Sequence, residues 1–146
     1  DGASDEMIDP CVPAVADRKV VGALELSANI HGGRYHMGMG ATSITFHHGQ
    51  GRPDFDGYVS PQMQARLDLL RRLQVVSFQM ETATLFAWAI SMGGRRRDIY
   101  VGAVHANYAN RFRPDDELVE GLGDEAACWV ALEALRNLAR NVPTTH

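Results

Sequence analysis

Apolar positions recur at helical spacing in several stretches of this chain, and the segments between them carry turn residues or strand-like runs. In residues 14 to about 30, Val15, Val20, Val21 and Leu24 share one face, with Pro13 at the entry and Gly32-Gly33 at the exit. Proline before a helix and glycine after it mark its two ends. Residues 35–46 hold Gly38, Gly40, Thr42, Ser43 and Thr45 without helical periodicity, which predicts a strand running into a loop. Residues 47–60 are rich in Gly, Pro and Asp and predict a surface loop, the usual place for ligand contacts. Ser60-Pro61 then supplies a cap and a first turn for a helix over 61–73, with Met63, Leu67 and Leu70 on one side.

The second half repeats the alternation. Residues 75–78 (Val-Val-Ser-Phe) predict a short strand. Residues 81–92 are apolar on nearly every face, through Ala83, Leu85, Phe86, Ala87, Trp88, Ala89 and Ile90, so they predict a buried helix ending at Gly93-Gly94. Residues 98–105 read as a buried strand. A last helix over 124–141 turns Ala127, Val130, Leu132, Leu135 and Leu138 inward, and the final five residues predict a loose tail. Strands alternating with helices predict an α/β sandwich with a central sheet in one domain, without internal repeats.

Composition narrows the function. A chain of 146 residues, 45% apolar, can build a core without disulfides or metal. A net charge of -4 argues against a nucleic-acid surface. Arg95-Arg96-Arg97, set between glycines and Asp98, reads as a solvated turn rather than a basic patch. Cys11 and Cys128 form no disulfide framework and no ligand spacing, so a reducing, cytoplasmic compartment is expected. Neither end carries a signal peptide or a long apolar run, so no membrane partner is expected. Asp1-Gly2-Ala3-Ser4 lacks an initiator methionine and enters on a turn-like sequence, which suggests a start inside a larger fold.

Two polar clusters carry candidate chemistry. Residues 46–52 (Phe-His-His-Gly-Gln-Gly-Arg) offer an aromatic face, an amide and a guanidinium. The Gln50 amide matches a carbonyl and an adjacent N–H of a pyrimidine together, and Arg52 donates to the other carbonyl. A donor whose grip tightens as charge grows on a departing base speeds glycosidic cleavage. Gln-x-Arg in a polar loop is also a common structural pattern, and Phe46 also suits a core position at a strand end. Residues 78–81 (Phe-Gln-Met-Glu) place a carboxylate at a helix start, where the helix dipole keeps it ionised for two hydroxyl donors. Glu81 there also suits simple dipole compensation, and Met80 suits the core. His47-His48 does not read as a metal site, because adjacent side chains diverge. The glycines at 32–33 and 38–40 lack the strand-to-helix setting of a phosphate loop.

These residues resemble the uridine phosphorylases of the nucleoside phosphorylase superfamily. The resemblance spans nearly the whole chain through Asp1-Gly2-Ala3-Ser4, Pro13-Ala14-Val15-Ala16-Asp17, Thr45-Phe46-x-x-Gly49-Gln50-x-Arg52 and Met80-Glu81-x-Ala83-Thr84-Leu85. It implies a three-layer α/β/α sandwich with a central mixed sheet, of which residues 1–146 form the C-terminal part of a single domain. It implies phosphorolysis of uridine to uracil and ribose 1-phosphate in pyrimidine salvage, with inorganic phosphate as co-substrate and no organic cofactor or metal. Gln50 and Arg52 would recognise uracil, with Phe46, Phe78 and Val104 lining the base pocket. Met80 and Glu81 would bind the ribose, and Arg52 and Glu81 would carry catalysis.

Three departures stand out. The family's Glu-Met-Glu is Gln79-Met80-Glu81 here, so one acidic member of the base-side network is neutral. The family's second uracil arginine falls on Asn107, or on Arg111 beside Asn110 in a shifted register. The phosphate site and a ribose-binding histidine from a neighbouring subunit belong to an N-terminal half that this chain lacks. That half of the same protein, and a homodimer or a hexamer of dimers, are the implied partners. The alternatives are a related nucleosidase or purine phosphorylase, and a non-catalytic subunit that keeps the pocket.

Overall fold

The computed structural model describes residues 2–110, 121 and 123–140. It is a mixed α/β structure built on a small parallel sheet. Helix α1 (Gly2–Asp5) and helix α2 (Arg18–His31) precede strand β1 (Gly40–Thr42). Helix α3 (Pro61–Arg72), strand β2 (Ser77–Gln79), helix α4 (Thr82–Ser91) and helix α5 (Asp124–Arg140) follow. Short 3-10 turns occupy His48–Gln50 and Gly94–Arg97.

Capping chemistry sets the boundaries. Helix α2 starts at Arg18, later than the expected residue 14, because the Asp17 side chain accepts the Lys19 N–H at 2.7 Å and so supplies the N-cap. Gly32, with φ 77°, closes the helix as expected. Ser60 caps α3 through the Met63 N–H at 3.2 Å. At the far end of α3, Gln74 takes φ 57°, its N–H bonds Arg71 O, and the Val75 N–H reaches back to Leu70 O. This double wrap turns the chain straight into β2. The N-terminal stretch read as turn-like includes the helical residues of α1.

The sheet pairs β1 with β2 in parallel, matching Gly40 to Ser77, Ala41 to Phe78 and Thr42 to Gln79. The ladder extends one bond further, from Ser43 N–H to Gln79 O at 2.9 Å. Residues 98–105 do not form the expected strand. A strand needs an edge to pair with, and the described backbone of this run is held at Val101, whose carbonyl accepts the Asp17 N–H at 2.7 Å.

Helices α2 and α5 pack against each other, and His31 meets Trp129 at 5.2 Å between ring centroids. The period expected for α5 is present, but its phase differs. Val130 and Ala134 are buried, whereas Leu132 and Leu135 are 57% and 62% exposed. Val130 and Ala134 form the buried face, and the two leucines turn outward. Helix α4 is likewise one-sided: Phe86, Ala87 and Ala89 are buried, while Leu85 and Trp88 are exposed. The expected end of α5 at Asn141 and the C-terminal tail lie outside the described residues.

The arginine run is a turn, and it also has a structural task. Arg95 Nε meets Asp17 Oδ2 at 2.5 Å, joining the start of α2 to the segment after α4. Burial opposes ionisation of Asp17 most strongly, but the bond from Arg95, the Lys19 N–H and the charges of Arg95 and Lys19 outweigh it and lower the pKa. A lowered folded pKa gives stabilisation that is complete above the ordinary value of 3.8 and lost as pH falls through the folded value. Replacing Asp17 with Ala should therefore cost about 1–2 kcal/mol in urea unfolding at pH 7, while Asp17→Asn keeps the cap and costs less. The gap between wild type and Asp17→Asn should close below the folded pKa.

Candidate functional site

Both polar clusters follow the sheet directly. Residues 46–52 leave the C-terminal end of β1, and residues 80–82 leave the C-terminal end of β2, its parallel neighbour. Parallel strands put their following loops on one edge, where α/β proteins commonly hold ligands. The two clusters therefore start from adjacent strand ends.

The first loop is shaped by small contacts. Ser43 Oγ donates to Thr45 O at 2.9 Å, and Thr45 Oγ1 accepts the Gly49 N–H at 2.8 Å. His47 O accepts from the N–H groups of Gln50 and Arg52, at 3.2 and 3.0 Å. A Cβ on Gly49 would collide with Ser43 Oγ and Thr45 Oγ1, and one on Gly51 would strike the Leu67 side chain. Gly51 also sits at φ 73°, a conformation that glycine takes without strain. The Gly-Gln-Gly spacing is thus a packing requirement on either side of Gln50, which is 5% exposed.

Arg52 lies with its guanidinium carbon 4.5 Å from the Phe46 ring centroid, a cation–π contact that fixes its plane. His47 meets the same ring edge-on. Among the described residues, Arg52 Nε and one terminal nitrogen are buried without a hydrogen-bond partner. Unsatisfied buried donors of this kind cost roughly 1–3 kcal/mol or more, which a carbonyl acceptor would offset. A cavity of about 50 Å³ lies against Arg52, lined by His48, Tyr58, Val59, Ser60 and Met63. It is much smaller than ligand pockets, which start at roughly 300 Å³. Glu81 does not line it.

The second cluster is organised by Gln79. Its Oε1 accepts the N–H groups of Glu81 and Thr82, at 2.9 and 2.6 Å. Those donors fix which end of the amide is oxygen, so Nε2 points to Thr42 Oγ1 and donates to it across the sheet. Thr42 Oγ1 also accepts the Ala83 N–H at 3.0 Å. The open N–H groups at the start of α4 are thus capped from outside the helix. Glu81 occupies the N-cap position, yet its side chain makes no capping bond. Its Oε2 takes the Met80 N–H at 3.2 Å, and the residue is exposed. A carboxylate that does not cap its own helix is left for other donors.

The remaining candidates are nearby or unplaced. Phe78 is half-buried in β2, while Met80 and Val104 are 36% and 37% exposed. Asn107 is exposed, and Arg111 lies outside the described residues. Two participants were not singled out from the sequence. Thr42 gave no signal beyond its strand position. His105 did give one, as a polar residue ending an apolar run. Its Nε2 lies 3.1 Å from Thr82 Oγ1. Its accessible surface is exposed, yet desolvation by its neighbours lowers the imidazole pKa, while the Glu81 charge raises it less.

A parallel strand pair with polar loops on one edge places the chain among mixed α/β proteins. No family profile matches the sequence. The chain is similar to uridine phosphorylases over nearly all of its length. It is 37% identical over 139 residues to the uridine phosphorylase of Thermococcus kodakarensis, covering 95% of this chain and 47% of that protein. It is 32% identical to that of Klebsiella aerogenes, covering 94% and 54%, and 30% identical to that of Haemophilus influenzae, covering 92% and 53%. The chain spans about half the length of these curated relatives.

The Gln79 network can be tested by stability. Gln79→Met removes the acceptor of the exposed Glu81 N–H and the part-buried Thr82 N–H and should cost about 1 kcal/mol in urea denaturation, as loss of a helix cap does. Gln79→Glu keeps both acceptors and should cost clearly less at neutral pH.

Proposed function

We propose that this chain carries the base- and ribose-recognition part of a uridine phosphorolysis site. The similarity to uridine phosphorylases over 95% of the chain is the observation that carries this reading. The shared strand edge beneath the two loops supports it. Uridine and phosphate would give uracil and ribose 1-phosphate. Gln50 and Arg52 would take the uracil edge, with Phe46, Phe78 and Val104 beside the ring. Arg52 would stabilise the charge that grows on the departing base, using donors that are unsatisfied without a ligand. Glu81 would accept the ribose hydroxyls, with Met80 against the sugar.

In this reading the chain is the C-terminal part of one nucleoside phosphorylase-like domain, and the two strands belong to the central sheet of a three-layer sandwich. Leu26, Ile30, Leu85, Trp88, Leu132 and Leu135 are each more than 40% exposed, which supports further structure covering them. Inorganic phosphate would be held by an N-terminal half and no organic cofactor would be needed. The working assembly would be a cytoplasmic homodimer or hexamer. Among the described residues no helix is long and apolar enough to cross a membrane.

A second reading rests on Gln79. Its amide is committed to the cap and to Thr42, so it supplies no base-side acid. A non-catalytic subunit with a nucleoside pocket would tolerate that change. Uracil release from uridine by the natural full-length polypeptide, with and without phosphate, separates the readings. Phosphate-dependent release supports the enzyme, and binding without release supports the second reading.

Arg52→Ala should lower uridine turnover roughly a hundred- to a thousandfold with little change in melting temperature. Equal losses of both would make Arg52 structural. Glu81→Gln should weaken uridine binding while free uracil binds as before, measured by calorimetry. Equal loss of uracil binding would contradict the division into base and ribose sides.

A further inference from the structure

We infer that His105 is a positioning residue for the ribose-side carboxylate, standing over the start of α4 and governing how freely Glu81 accepts a vicinal diol. The inference rests on the nucleoside reading above and adds a residue to it. His105 lies in the segment after α4, and its ring reaches back to the first residue of that helix. Its Nε2 lies 3.1 Å from the hydroxyl of Thr82, the first residue of α4 and the neighbour of Glu81. Glu81 is held through its backbone by Gln79, and its carboxylate is not used in capping. A backbone-anchored Glu81 and an imidazole bonded to Thr82 thus share one helix start.

Among the described residues, Glu81 is the charged side chain whose field acts on this imidazole. Desolvation, the larger influence, favours the neutral ring. While it is neutral, the imidazole holds Thr82 and leaves the carboxylate to external hydroxyl donors. As pH falls through the His105 pKa, the imidazolium becomes a cation whose field draws on the same carboxylate and competes with the diol. The expected consequence is an acid limb in ribose recognition that uracil recognition lacks.

The experiment compares uridine and uracil binding by calorimetry from pH 8 to pH 5, using the natural full-length polypeptide and its His105→Gln variant. Glutamine keeps a hydrogen bond to Thr82 and cannot become cationic. The ratio of uridine to uracil affinity should fall about tenfold on acidification in wild type and stay flat in His105→Gln. Taking the ratio cancels any pH effect that acts on uracil recognition alone. A ratio that is flat in wild type, or that falls equally in the variant, overturns the role of His105 alone. Uridine that fails to bind at any pH overturns the nucleoside reading, and this inference with it. A readout without ligand is the His105 titration by NMR. Its pKa should drop further in Glu81→Gln, and an unchanged value overturns the proposed contact.

Discussion

The hydrogen bond from the Gln79 amide to the Thr42 hydroxyl is the constraint on which the arrangement depends. It ties the last residues of β1 and β2 side by side at the edge where both polar loops begin. The same two side chains cap α4, Gln79 through Glu81 and Thr82, Thr42 through Ala83. One small network therefore fixes strand register, helix entry and the backbone under Glu81. Because the capping comes from outside, the carboxylate at the N-cap position is spared that duty.

The two loops use different physics to hold their groups. Around Arg52 the means are steric and aromatic: glycines pressed against Ser43, Thr45 and Leu67, and a guanidinium laid on Phe46. Around Glu81 the means are hydrogen bonds to the backbone. The first arrangement leaves buried donors unsatisfied, and the second leaves an acceptor exposed. Under the proposed function, the first arrangement would meet the carbonyl oxygens of a pyrimidine and the second the hydroxyls of a ribose. The chain is similar to uridine phosphorylases over nearly all of its length.

Much of the element pattern was legible because local signals agreed with the final packing. Ser60-Pro61, Gly32 and the apolar run of 81–92 mark helices where the structure has them, the last over Thr82–Ser91. Legibility failed where tertiary partners decide. Asp17 displaced Pro13 as the helix start because its carboxylate reaches both Lys19 and Arg95, and sequence spacing cannot show the second contact. The outward turn of Leu132 and Leu135 depends on which face meets α2. Residues 98–105 have strand composition, but strand formation needs a neighbouring edge. At the candidate site, residue types were readable and duties were not. Gln79 looked like a neutralised acid and is a cap, and His105 looked like the end of a strand and lies beside Thr82.

The central claim is that the ends of β1 and β2 present one shared binding edge. Amide NMR shift mapping of the natural full-length polypeptide, first with uracil and then with uridine, tests it most directly. The account predicts that uracil perturbs residues 46–52 and that uridine extends the same patch to residues 80–82. Perturbations confined to a surface away from both loops, or two patches that never respond to one ligand together, would contradict it.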